Sequence, residues 1–162
     1  MPTPRRRQPA PSAQTTPSAD VPQSESLLLL VTGSTIASEM RDRPIAYRLR
    51  ERVLGWLDAA RNGNGEAPVL QPVVCSDLWY LNARELDDRP AIAIGEPSSN
   101  AATALISSRL PTAFVIEGSL RVHLDPEFID LRAALWGVTA ASTAAAIDLF
   151  AERYLDAFLN AV

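Results

Sequence analysis

Apolar and polar positions follow two rhythms along this chain. Leu27 to Val31 is an unbroken apolar run, the pattern of a strand covered on both faces. Ile45, Leu49, Val53 and Leu57 then recur every four residues, which predicts a helix from about Arg43 to Arg61. Asp42 stands where an N-cap would be and Pro44 falls in the first turn. The run Asn62-Gly63-Asn64-Gly65 stops that helix. Val69 to Cys75 reads as a second strand interrupted by Pro72, followed by a helical turn at Asp77 to Leu81. Ala91 to Ile94 is a short third strand, and Ser98 or Ser99 caps a helix reaching Arg109.

Beyond that helix the period changes. Thr112–Ile116 and Leu120–Leu124 flank Glu117-Gly118 as an antiparallel hairpin. In its second arm Leu120, Val122 and Leu124 face one way, and Arg121 and His123 the other. Leu131 to Val138 predicts a last strand, and Ala140 to Asn160 a closing amphipathic helix. Helices alternating with strands predict a three-layer, Rossmann-like α/β domain with a mostly parallel sheet and one antiparallel hairpin at an edge. Residues 1–25 are rich in Pro, Ser, Thr and Gln without apolar period and predict a disordered, solvated tail. Residues 26–162 form the single predicted domain.

Composition removes several classes of chemistry. All fifteen basic residues are arginine, so no lysine nucleophile, base or phosphate-loop lysine is available. One cysteine, Cys75, and one histidine, His123, exclude an intrachain disulfide and a multi-His/Cys zinc site within the chain. No metal site or cofactor is assigned. The formal charge of −4 argues against a nucleic-acid binder. The apolar runs are too short for a bilayer-spanning helix, and Arg5-Arg6-Arg7 lacks a following apolar segment, so the expectation is a cytoplasmic protein without membrane or nucleic-acid partners.

Candidate chemistry gathers at three junctions, each an apolar run followed by small residues and a helix: LLLLVTGSTIAS, AIAIGEPSSNAATALI and ALWGVTAASTAAAI. In a parallel sheet these fall on one edge, where α/β proteins hold ligands. Thr32, Gly33, Ser34 and Thr35 of the first junction and Gly95, Ser98, Ser99 and Asn100 of the second are the expected ligand-binding groups. Arg41 and Arg43 would supply charge for a small anion. Gly137-Val138-Thr139 with Ser142 reads as a capped helix start.

Two resemblances attach to these residues. Thr32-Gly33-Ser34-Thr35-Ile36-Ala37 resembles the TGGTIA segment of bacterial-type asparaginases, which implies a nucleophile at Thr32. It departs at Ser34, and the lysine that serves that family as a base has no counterpart. Gly95-Glu96-Pro97-Ser98-Ser99-Asn100, with the helix, strand pair and WGVTAASTAAA that follow, is similar to the α/β segment of archaeal surface-layer-type proteins and small uncharacterised relatives. That resemblance spans residues 91–160, departs at Glu96, and implies the fold and an assembly-type or unknown role, with no enzymatic activity implied.

Three further features stand apart. Cys75 ends a strand and would need His123 and Asp125 beside it to act as a nucleophile. Trp79 and Tyr80 either bury together or form a contact patch, within a segment that continues into the mixed-charge loop of Arg84, Glu85, Asp87, Asp88 and Arg89. Arg48 and Arg52 share a helix face that could serve docking or solubility. The expectation is a non-catalytic domain, either an interaction or assembly module, including self-association, or a binder of a small anionic ligand or nucleotide. A hydrolase acting through Thr32 or Cys75 is the remaining alternative.

Overall fold

The computed structural model describes residues 27–63 and 68–162. The predicted tail and Asn64-Gly65 lie outside them. Six strands and five helices follow in the order β1 (Leu27–Thr32), α1 (Ile36–Asn62), β2 (Gln71–Ser76), α2 (Asp77–Asn82), β3 (Ala91–Ile94), α3 (Ala101–Arg109), β4 (Thr112–Ile116), β5 (Leu120–Leu124), β6 (Arg132–Gly137), α4 (Ala140–Arg153) and α5 (Leu155–Ala161). The sheet order is β2-β1-β3-β6-β5-β4. β2, β1, β3 and β6 run parallel, while β5 is antiparallel to both β6 and β4.

The apolar strands divide their side chains between two helical layers. Leu28, Leu30, Ile92 and Ile94 pack with Ile45, Leu49 and Val53 of α1 and with Ile147 and Phe150 of α4. Leu29, Val31, Ala91 and Ala93 face the other way, onto Tyr80 of α2 and Ala102 and Ile106 of α3. Both faces of β1 are thus dry, which is why its run carries no polar position. The alternation expected in β5 holds: Leu120, Val122 and Leu124 enter the first core.

Four local expectations need correction. Helix α1 begins seven residues before Arg43, because Thr35 caps it by accepting from the Ser38 amide at 3.1 Å. Asp42 is therefore a fully buried helix-interior residue rather than a cap, and Pro44 sits inside the helix at the loss of one internal hydrogen bond. Asn100, not Ser98 or Ser99, caps α3, since its Oδ1 accepts from the Ala102 and Thr103 amides. The closing helix is two helices, broken at Tyr154, where φ is −127° and ψ −23°.

Candidate functional site

β1 and β3 are neighbours, yet the helices that follow them leave on opposite faces. This is the switch point where an α/β sheet opens a crevice above the carboxyl ends of its strands. The first two junctions meet there. Ser38 Oγ donates to the Ser99 carbonyl at 3.3 Å, joining the start of α1 to the turn before α3. Asn100 Nδ2 donates to the carbonyls of both Val31 and Ile94, at 3.0 and 2.9 Å, so one buried amide spans the ends of β1 and β3. The third junction opens on the same edge, since Gly95 N donates to the Leu135 carbonyl at 3.1 Å. It closes on itself through a capping box between Thr139 and Ser142.

Each expected ligand group can now be placed. Thr32 is buried and donates its hydroxyl to the Cys75 carbonyl at 3.4 Å. Gly33 lies so close to the Ser99 carbonyl that any Cβ would overlap it. Ser34 is exposed, and Thr35 is engaged as the cap of α1. Gly95 has φ +109°, and a Cβ there would stand 2.6 Å from Asp42 Oδ2. Ser98 is exposed, whereas Ser99 Oγ donates to the Glu96 carbonyl and receives Arg41 at 3.4 Å.

The two arginines are already matched. Arg41 holds Asp42 through two hydrogen bonds of 2.9 and 3.3 Å, and this contact raises its pKa. Arg43 pairs with Glu39 at 2.6 Å, and hydrogen bonding to that carboxylate raises its pKa likewise. Ser99, Asn100 and Arg41 fasten the first two turns to each other, whereas Thr35 and Arg43 are engaged within α1.

Ser38, Asp42 and Asp77 are members of this fastening that residue pattern did not assign to it. Asp77 is 4% exposed, and its carboxylate accepts from the Leu78 and Ala101 amides, both at 2.8 Å. It thereby ties the start of α2 to the start of α3. Its position at the end of a strand was the available signal; its partner 24 residues away was not. Asp42 and Asp77 are thus both engaged by donors within the chain.

The Cys75–His123 pairing is excluded by topology. Cys75 lies on β2 and His123 on β5, four strands apart in the sheet, or about 19 Å at the usual strand spacing. Burial pushes the Cys75 thiol up to about 12, so it is held neutral. His123 is not solvated, as its place on the arginine-bearing face of β5 suggested, but 7% exposed.

The Trp79-Tyr80 pair divides: Tyr80 is buried at 5% exposure, and Trp79 is 47% exposed. Trp79 belongs to a broader feature. Seven of the twelve large apolar side chains exposed among the described residues fall between Ile36 and Leu81, on α1, on α2 and just before the edge strand β2. On α1, Ile36 (82% exposed), Met40 (78%) and Tyr47 lie within about 40° of one another around the helix axis. On the opposite layer, α2 presents Leu78 and Trp79. Between these helices, the edge of β2 is blunted by Pro72 and by Arg50, whose Nε donates to the Pro72 carbonyl at 3.2 Å. Arg48 and Arg52 are not part of this flank, because both pair with Asp148 of α4.

No protein-family model matches the chain, and no curated protein matches it. Among the described residues, no helix is long and apolar enough to cross a membrane.

Proposed function

We propose that this chain is a non-catalytic interaction module that associates with a second copy of itself through the flank built by α1, β2 and α2. The observation that carries this reading is the concentration of exposed apolar side chains there, from Ile36 and Met40 to Leu78 and Trp79. Large exposed apolar patches on a soluble domain mark contact surfaces. The charges beside them are neutralised within the chain, as Glu39–Arg43 and Arg50–Glu51. Such a surface asks for no partner of opposite charge and is compatible with its own copy across a two-fold axis. Pro72 and Arg50 disfavour extension of the sheet through β2, so the contact would be made by helix faces.

Sedimentation of the full chain over a concentration series tests it. Wild type is expected to self-associate, and Met40→Glu and Trp79→Glu, both at exposed positions, are expected to shift it to monomer with an unchanged melting temperature. A wild type that stays monomeric to about 100 μM, well above the Kd of an ordinary specific dimer, would overturn the reading. The anion-binding reading of the strand–helix turns has less support, because Arg41, Arg43, Ser99 and Asn100 already have partners.

A further inference from the structure

The opposite end of the sheet carries a different feature. Two adjoining clefts, of about 320 and 350 Å³, open at the amino ends of β3 and β6 and share Asp87, Asp88 and Arg132. The first continues along Arg89 and Asp130, the second along Tyr80 and Arg109. Asp87, Asp88 and Arg132 thus line both clefts, Arg89 and Asp130 only the first, and Arg109 only the second. Only one pair is matched: Arg132 grips Asp130 with two hydrogen bonds of 2.6 Å. Among the described residues, Asp87, Asp88, Arg89 and Arg109 enter no ion pair, although both signs line the same space. Arg89 also has a buried Nε without an acceptor there.

The walls are held in place. Asp125 accepts from the amides of Glu127, Ile129 and Asp130, which pins the loop before β6. Phe128 in that loop has φ +53°, an uncommon conformation for a non-glycine residue, and its ring packs edge-on against Phe158 at 6.3 Å. Tyr80 anchors the other wall with a buried ring, and its hydroxyl side faces Arg132.

We infer that these adjoining clefts bind a small zwitterion, its ammonium held by Asp87 and Asp88, which line both, and its anionic group by Arg89 from the first cleft and Arg109 from the second. A simple anion would meet two unpaired carboxylates, and a simple cation two unpaired guanidiniums. A molecule carrying both charges satisfies both sets, and charge-assisted bonds of this type are the strong ones. The proposal does not rest on self-association, although Leu81 of α2 borders both the cleft and the flank.

The test is amide chemical-shift mapping of the isotope-labelled full chain. The probes are L-glutamate, L-lysine and glycylglycine, with acetate and ethylammonium as single-charge comparisons. A zwitterion is expected to give saturable shifts confined to residues 80–89, 105–109 and 130–132, and to bind more tightly than either single-charge probe. Arg109→Gln and Asp87→Asn, both at exposed positions, should each weaken it about tenfold, the scale of one charge-assisted hydrogen bond, without changing the melting temperature. Absence of shifts in the cleft with all three zwitterions would overturn the inference. So would acetate or ethylammonium binding as tightly as the best zwitterion, or affinity unchanged in both variants.

Discussion

Asn100 donates its side-chain amide to the Val31 carbonyl at 3.0 Å, across 69 residues of sequence. The same side chain reaches Ile94 and caps α3, so its four hydrogen bonds hold two strand ends and a helix start in one arrangement. Asn100→Ala is expected to destabilise the fold by about 2–4 kcal/mol, the sum of a lost cap and two unsatisfied buried carbonyls. Asn100→Asp keeps the cap acceptor but sets a carboxylate against both carbonyls, and should be at least as damaging. Urea unfolding of the two variants measures this. A loss under about 0.5 kcal/mol in both, the range of ordinary surface changes, would remove Asn100 from the centre of the fold.

Gly95 and Asp42 form a second coupled pair. Gly95→Ala meets two penalties, the positive φ and the Asp42 carboxylate 2.6 Å from the new Cβ. The backbone part alone costs on the order of 1–3 kcal/mol. Asp42→Ala removes the obstacle and leaves Arg41 without its partner. The double variant should therefore be more stable than the sum of the single losses predicts, with a coupling of about 0.5 kcal/mol or more. Strict additivity in a denaturation cycle would mean that the two residues do not press on each other in solution.

These pairs mark the limit of what the sequence discloses. The apolar run Leu27–Val31 and the four-residue stripe of α1 announce a sheet covered on both faces and its longest helix, because burial imposes a period on composition. The hairpin was legible from Glu117-Gly118 and the alternation that follows it. Two differences share one cause: Asp42 fits a cap by its type but is a buried carboxylate, and Ser98 or Ser99 fits a cap that Asn100 supplies. Each residue type fits several local roles, and the partner that decides between them lies on another strand. The first two junctions meet through Ser38, Ser99 and Asn100, and those hydrogen bonds depend on strand order, which no local pattern carries. The cleft at the opposite edge was visible only as a mixed-charge loop, since Arg109 and Arg132 join it from other elements.

His123 gives the fold a specific dependence on pH. Burial lowers its pKa below the ordinary 6.5, so the unfolded chain binds this proton more readily than the folded one. Stability from this group is therefore complete above about pH 6.5 and is lost as pH falls through the folded-state value. His123 is the only histidine, so the loss in that window belongs to it. The stability of wild type should fall with pH from about 6.5 downward, while that of His123→Gln should stay level until the carboxylates titrate. Parallel slopes for the two proteins in urea titrations at successive pH values would contradict this assignment.

Cys75 offers a labelling test of the sheet itself. Its thiol is buried on β2, and desolvation pushes its pKa up to about 12, with Arg43 nearby opposing that rise. The thiolate is the reactive species, so at pH 8 the native chain should hold almost none. Alkylation by iodoacetamide should then proceed only through opening of the edge strand. The rate is expected to be at least about a hundredfold lower than in urea, consistent with exchange through a minority open state. Cys75 is the single cysteine, so one mass shift reports the reaction without ambiguity. Met40→Glu and Trp79→Glu, which alter the flank without entering either core, should leave this protection intact. Rapid native labelling would mean instead that β2 leaves the sheet readily, and that the surface assigned to self-association is not a persistent one.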